Sequence, residues 1–75
     1  MTSALISFVK TRRKALALTQ RDLADRAGVG LRFVRDLEQG KQTLRLDKVD
    51  QVLSLFGHSM QPAPARRAEA NDATR

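Results

Sequence analysis

Two short amphipathic segments follow one another in the middle of the chain, and only the residues AGVG separate them. Residues 19–40 read TQRDLADRAGVGLRFVRDLEQG. Thr19 and Asp22 have the spacing of a capping box, which predicts that a helix begins after Thr19. Gly28 and Gly40 each follow a run of helical spacing, where a glycine supplies the left-handed backbone that ends a helix. The sequence therefore predicts two helices joined by a tight turn.

Apolar residues at helical spacing predict one further helix on each side of this unit. The first covers about residues 4–16 with Ser3 as its N-cap, and the second covers about residues 46–56, before Gly57. Gln51 falls on the outer side of the second helix, where we expect solvent. These runs predict an all-α fold. The side chains expected to be buried are Leu5, Ile6, Val9 and Leu16 in the first helix and Leu46, Val49, Val52, Leu53 and Phe56 in the second.

The composition limits the chain to one small domain. A chain of 75 residues without cysteine has one modest core and no disulfides, and a reducing compartment is expected. Fourteen Lys and Arg against eight Asp and Glu give a net charge of +6, which favours nucleic acid or an acidic membrane surface as partner. No apolar run reaches the ~20 residues that span a bilayer. We expect a cytoplasmic protein, associated with the nucleoid if it binds DNA.

The sequence offers neither a metal-ligand set nor a catalytic constellation. His58 is the only histidine, and a single histidine without cysteine makes no metal site. The aspartates have spacings typical of helix caps and solvated faces, and so short a chain leaves little room for a water-excluding pocket. We expect neither an enzyme nor a cofactor. The basic run KTRRK at residues 10–14 could contact a membrane, DNA phosphates or only solvent.

The chain changes character after the last predicted helix. HSMQ at residues 58–61 is compatible with a short strand. Residues 62–75 contain both prolines and almost no bulky apolar side chain, so they cannot offset the entropy cost of ordering. We therefore predict a domain over residues 1–61 and a flexible tail over residues 62–75.

The central unit has the arrangement in which a second helix can enter the major groove of DNA. Small or apolar residues fall where the two helices would pack, and the other positions of the second helix are free to face outward. The packing residues are Ala24, Gly28, Val29, Val34 and Leu37. The outward positions are Gly30, Leu31, Arg32, Arg35, Asp36 and Gln39.

These residues resemble the Xre family of helix-turn-helix repressors, which the phage repressors typify. Gln20, the pair Leu23 and Ala24, Gly28 and the Glu-x-Gly of residues 38–40 fall in register with that family. The resemblance implies a compact lambda-repressor-like DNA-binding domain of four to five helices that represses transcription.

The resemblance also implies roles for single side chains. Gln20 would bond a phosphate or an adjacent base, Arg32 would bond guanine O6 and N7 bidentately, and Lys41 would contact backbone phosphate. Gly30 and Leu31 stand where many members have polar residues, so base readout there is open. The residues implied in DNA binding are Thr19, Gln20, Arg21, Gly30, Leu31, Arg32, Arg35, Asp36 and Lys41.

Arg13 and Glu38 resemble the buried ion pair with which many Xre proteins tie the first helix to the recognition helix. The alternative is a solvated pair, worth ~0–1 kcal/mol. Phe33 lies between Arg32 and Arg35 in sequence. It could contact a sugar or a thymine methyl, or it could pack against the turn, and the sequence leaves both open.

The stretch LFGHSMQ at residues 55–61 is similar to HipB-type antitoxins, in which the chain after the last helix forms a strand that pairs with its copy in a second subunit. That similarity implies a homodimer that binds a palindromic operator in double-stranded DNA and neutralises a HipA-type serine/threonine kinase toxin. The alternatives are a stand-alone Xre-family regulator and a protein-interaction adaptor. The implied dimerisation residues are Leu55, Phe56, His58, Ser59, Met60 and Gln61.

Overall fold

The computed structural model describes residues 4–62, and over that range the chain forms four helices and no strand. The helices are α1 (Ala4–Ala15), α2 (Gln20–Ala27), α3 (Leu31–Gln39) and α4 (Leu46–Leu55). The all-α prediction is confirmed. The expected cap at Ser3 and residues 63–75 of the expected tail lie outside the described residues.

Helix α2 begins and ends through local hydrogen bonds. The Asp22 amide donates to the Thr19 hydroxyl oxygen at 3.0 Å, and the Thr19 amide donates to the Asp22 carboxylate at 2.9 Å. At the other end Gly28 is left-handed (φ 76°), and the amides of Gly28 and Val29 both donate to the Ala24 carbonyl at 3.0 Å. The predicted capping box and glycine stop are both confirmed.

Helix α3 ends like α2 but begins differently. Gly40 ends it in a left-handed conformation (φ 84°), and the Lys41 amide donates to the Asp36 carbonyl at 3.0 Å. Gly30 precedes the helix and has no side chain with which to cap it. The first-turn amides of α3 therefore have no side-chain acceptor from the N-cap position.

The hydrophobic core lies where all four helices meet. Burial of one large apolar side chain in this core stabilises the folded state by ~1.5–3 kcal/mol. Because α3 packs against both α1 and α2, its orientation on the domain is fixed from two sides. The fully buried large side chains are Val9 from α1, Leu23 from α2, Val34 and Leu37 from α3, and Val49 and Val52 from α4.

Two of the leucines predicted to be buried are exposed, and both lie at or beyond a helix end. Helix α1 stops at Ala15, and Leu16 is 55% exposed in the turn that follows. Ala17 adopts a left-handed conformation (φ 57°), and Leu18 enters the core instead. Leu46, the first residue of α4, is 65% exposed. Helical periodicity does not hold where the backbone has left the helix.

The segment after α4 folds back onto α1. The His58 amide donates to the Leu53 carbonyl at 2.9 Å, and the His58 ring lies 4.5 Å from the Phe8 ring, centroid to centroid. Phe8 also meets Phe56 edge to face at 6.0 Å. Residues 58–62 have no regular secondary structure in this single chain, so the predicted strand at 58–61 is not formed here.

Candidate nucleic-acid interface

A side chain of α4 contacts the turn between α2 and α3. The Gln51 amide of α4 lies 3.4 Å from both the Ala27 and the Gly28 carbonyl oxygens. These are carbonyls that the end of α2 leaves without a helical partner. Gln51 is exposed, as its helical position predicts, but no spacing signal links it to a turn more than 20 residues away. The contact links α4 to the turn that precedes α3.

The outer side of α3 carries two arginines whose side chains have no partner among the described residues. Arg32 and Arg35 are exposed, and neither side chain makes a hydrogen bond or ion pair within residues 4–62. Three positions apart on a helix, they lie on one side, about 4.5 Å apart along the axis. The opposite side of α3 is buried through Val34 and Leu37. Both guanidinium groups keep all their donors free for a ligand.

Three residues at the start of α3 have no side chain that can form a hydrogen bond, namely Gly30, Leu31 and Phe33. Gly30 is exposed, and a Cβ there would meet nothing within 4 Å. Leu31 is half-buried against the core, so only part of its side chain faces outward. Phe33 also packs against the core, which agrees with the packing alternative for this residue. This end of α3 can approach another surface closely and contact it with apolar atoms.

Asp36 and Lys41 pair with each other at the C-terminal end of α3. Their charged atoms are 3.5 Å apart, and the Lys41 side chain is largely exposed. A pair with this exposure contributes ~0–1 kcal/mol. Its local effect is electrostatic, because Lys41 balances the single carboxylate on the outer side of α3.

Thr19 and Arg21 are exposed where α2 begins. The Thr19 hydroxyl oxygen accepts from the Asp22 amide, and the hydroxyl also hydrogen-bonds the Asp22 carboxyl. Hydrogen bonds from Thr19 lower the pKa of the Asp22 carboxyl, the backbone amide first. Arg21 has no partner within the described range. At the start of α2 the Arg21 guanidinium is therefore available to a ligand, whereas the Thr19 hydroxyl is engaged with Asp22.

A buried carboxylate joins α1, α2 and α3. Glu38 is 4% exposed, and its Oε2 accepts from Arg13 Nε at 2.7 Å. Its Oε1 accepts from Arg13 Nη2 at 3.0 Å and from Gln20 Nε2 at 3.2 Å. Arg13 Nη1 also donates to the Leu18 carbonyl at 2.9 Å. The hydrogen bond with Glu38 raises the pKa of Arg13. The arrangement is the buried alternative for this pair, with Gln20 as a third member that sequence reasoning missed.

The basic residues of α1 are divided between two uses. Arg13 is held by Glu38, whereas Lys10, Arg12 and Lys14 are exposed. The Arg12 guanidinium lies 5.9 Å from the centre of the Phe8 ring, a cation–π distance. The exposed cations of α1 add positive charge to the domain surface without a defined acceptor.

Four of the six expected dimerisation residues line a cleft between the start of α1 and the segment after α4. The cleft has a volume of about 390 Å³, and Ala4, Leu5 and Phe8 line it from α1. Phe56 is buried, while Leu55 and Met60 are 37% and 44% exposed. The residues of the last segment that line the cleft are His58, Ser59, Met60 and Gln61.

The described part of the chain has neither a metal-ligand cluster nor a membrane-spanning helix. No group of three His, Cys, Asp or Glu side chains in residues 4–62 is placed to hold a metal ion. None of the four helices is long and apolar enough to cross a membrane. The features that stand out are therefore the free arginines of α3 and the polar groups at the start of α2.

Comparison with known proteins agrees with this geometry. The helix-turn-helix family model matches residues 9–61. The chain is 50% identical over 54 residues to an uncharacterized HTH-type transcriptional regulator, y4mF, of Sinorhizobium fredii, covering 72% of this chain and 71% of that protein. No solved structure matches significantly. Because the family model spans α2, the turn and α3 together with the helices that hold them, the chain belongs to the helix-turn-helix family.

Proposed function

We propose that the protein is a sequence-specific DNA-binding transcriptional repressor. The observation that carries the proposal is the pair of exposed arginines on the outer side of α3, Arg32 and Arg35, whose side chains have no partner within residues 4–62. Arginine is the side chain that most often reads guanine in the major groove. The helix-turn-helix match and the naming of the Sinorhizobium relative as a transcriptional regulator support the same class of function.

Helix α3 is the recognition helix in this proposal. Arg32 bonds guanine O6 and N7, which is worth ~1–3 kcal/mol of discrimination against another base. Arg35, one turn further along, reaches a neighbouring base or the backbone. Leu31 contacts a thymine methyl, and Gly30 lets the start of the helix approach closely, since it carries no side chain. Base readout then depends on arginine and apolar contact.

The groups around α3 fix its position on the duplex. Thr19, Gln20 and Arg21 lie at the start of α2 and contact phosphates of the DNA backbone. Lys41 contributes a phosphate contact at the other end of α3 while it keeps the Asp36 carboxylate balanced. These contacts supply affinity and register rather than sequence preference.

The proposed repressor is a homodimer on a palindromic operator, with its two recognition helices about 34 Å apart. The support lies in the segment after α4. The His58 amide bonds the Leu53 carbonyl, and the Met60 amide bonds the Asp50 carboxylate at 3.2 Å. Ser59 and Gln61 make no hydrogen bonds to residues 4–62. Alternate residues of a strand present their amides to opposite edges, so one edge of this segment is free to pair with its symmetry copy.

A narrower proposal is that the protein is a HipB-type antitoxin that binds a HipA-type serine/threonine kinase and autoregulates the operon they share. It rests on the LFGHSMQ stretch and on the free edge of residues 58–61. Copurification of the protein with a kinase encoded beside its gene supports this proposal. A stable protein that represses alone, with no such kinase, favours the stand-alone regulator.

The test of DNA binding is a titration of purified protein with the DNA upstream of its gene and with scrambled DNA, over a series of salt concentrations. We expect a preference for the upstream DNA and a fall in log K of about 0.9 per phosphate contact for each tenfold rise in salt. Absence of salt-dependent duplex binding contradicts the proposal and favours the protein-interaction adaptor. Sedimentation tests the dimer, and a monomer at high micromolar concentration contradicts it.

A further inference from the structure

Glu38 occupies an unusual place for a carboxylate in a protein that binds DNA. It is buried, yet it accepts a hydrogen bond from Gln20 in the first turn of α2. In the proposed function, Gln20 contacts the DNA backbone. Glu38 also receives two hydrogen bonds from Arg13, so the charge of the carboxylate is balanced within the domain. The contact between Glu38 and Gln20 therefore links a structural ion pair to the binding surface.

The hydrogen-bonding capacity of the Gln20 amide shows what this link can do. The Nε2 group has two hydrogens. One is directed to Glu38 Oε1 at 3.2 Å. The other has no acceptor within the described residues, and Gln20 is half-buried rather than enclosed. The contact with Glu38 thus fixes the side chain in one orientation while leaving one N–H donor unused.

The charge of Arg13 makes this arrangement compatible with DNA. A phosphate oxygen bonded to the second N–H would lie about 5 Å from Glu38 Oε1, as the geometry of two hydrogen bonds on one nitrogen requires. Two unbalanced negative charges at that distance would repel each other. Because Arg13 donates to both carboxylate oxygens, the phosphate meets a carboxylate that is already paired.

We propose that Glu38, held by Arg13, is a positioning residue for DNA binding: it orients the Gln20 amide so that its second N–H donates to a backbone phosphate. The inference rests on the proposed function and adds a specific role to the buried ion pair. A phosphate bound this way is recognised through an oriented neutral donor, which saves the entropy cost of ordering a free glutamine on binding.

The first test variant replaces both members of the ion pair with apolar residues, so that neither charge is left without its partner. In the variant Arg13→Met with Glu38→Leu, apolar side chains of similar size fill the site, a change that is often neutral or stabilising for a buried pair. The net charge is unchanged, but Gln20 loses its anchor. Gln20→Ala removes the donor itself, a triple variant combines both changes, and Gln42→Ala removes an exposed loop glutamine as the matched control.

We expect Gln20→Ala and the paired variant each to lose roughly tenfold in affinity for upstream and scrambled DNA alike, the effect of one hydrogen bond to a charged group. The triple variant should lose no more than either. The salt dependence should stay constant, because an uncharged amide releases no counterion. A folded paired variant that binds like wild type, or a triple variant that loses a further tenfold, overturns the inference.

NMR of the wild-type protein tests the inference without a variant. The two Nε2 protons of Gln20 give separate signals. We expect the signal of the proton not bonded to Glu38 to move on addition of DNA while the other stays in place. If neither moves although the protein binds DNA, this inference fails and the proposed function stands. If wild-type protein binds no duplex DNA, both fail.

Discussion

Arg13 and Arg32 are the same residue type in two opposite environments on one domain. On the inner side of α3, the Arg13 guanidinium donates hydrogen bonds to the Glu38 carboxylate and to the Leu18 carbonyl, and the neighbouring side chains are buried. On the outer side, Arg32 is exposed and bonds nothing within residues 4–62. The inner arginine stabilises the position of the helix, and the outer one is available to a ligand.

This comparison predicts that the two sides of α3 respond differently to substitution. Changes on the inner side should lower the free energy of unfolding, and their effect on DNA affinity should follow from loss of position. Changes on the outer side should leave stability nearly constant and alter recognition.

Glu38→Ala should cause the largest loss. It leaves the Arg13 guanidinium, whose side chain is 14% exposed, with the Leu18 carbonyl as its remaining acceptor, and removing one partner of such a pair costs ~3–5 kcal/mol. Urea unfolding followed by circular dichroism measures the change. Asp36→Ala, the other acidic residue of α3, is the matched control and should cost under ~1 kcal/mol, since its partner Lys41 is exposed. Equal losses from both variants would break the distinction between the two sides.

Thr19→Ala should cost ~1 kcal/mol because it removes half of the capping box at the start of α2. The same denaturant experiment measures it. Thr43→Ala replaces an exposed threonine in the loop before α4 and should change stability little. A Thr19 variant as stable as this control would show that the reciprocal bonds with Asp22 do not hold the start of α2.

The lowered pKa of the Asp22 carboxyl predicts that the stability of the domain depends on pH. Its hydrogen bonds to Thr19 lower the pKa of the carboxyl from its ordinary value near 3.8. A lowered folded pKa adds stability above the unfolded value and loses it as pH falls through the folded value. Asp22→Asn should therefore lose less stability than wild type on acidification below about 3.8. Thermal unfolding at several acid pH values measures this, and parallel curves would contradict it.

Gly30→Ser should have the smallest effect on stability, a gain of a few tenths of a kcal/mol. The backbone at Gly30 is extended (φ −78°), a new Cβ meets nothing within 4 Å, and serine can cap α3 where glycine cannot. Thermal unfolding detects the gain. The same change should weaken DNA binding, because it adds atoms where α3 approaches the groove. A variant with tighter binding would contradict the role given to Gly30.

The parts of the fold that the sequence predicts are those set by neighbours in the chain. Thr19 with Asp22, and Gly28 and Gly40, mark the bounds of α2 and α3 through contacts only a few residues apart. The exchange of Leu16 for Leu18 in the core follows from the left-handed conformation of Ala17. Nothing in the apolar spacing indicates that conformation.

The candidate site is predictable in part for the same reason. The position of Arg32 and Arg35 on the outer side of α3 follows from helical periodicity alone. The contact of Gln20 with Glu38 and that of Gln51 with the turn join residues 18 to 24 positions apart. Glutamine is common on solvated helix faces, so its type gives no signal of such contacts. Residues 58–61 form no strand in this single chain, and the proposed strand depends on pairing with a second chain.

The most direct test of the account measures how Arg32→Ala and Arg21→Ala change the ratio of affinities for upstream and scrambled DNA. Both side chains are exposed and have no partner among the described residues, and each substitution removes one positive charge. Only Arg32 lies on α3. We predict that Arg32→Ala lowers the ratio by about 5- to 150-fold. Arg21→Ala should weaken both affinities equally and reduce the salt slope by about 0.9. An unchanged ratio for Arg32→Ala would contradict the account.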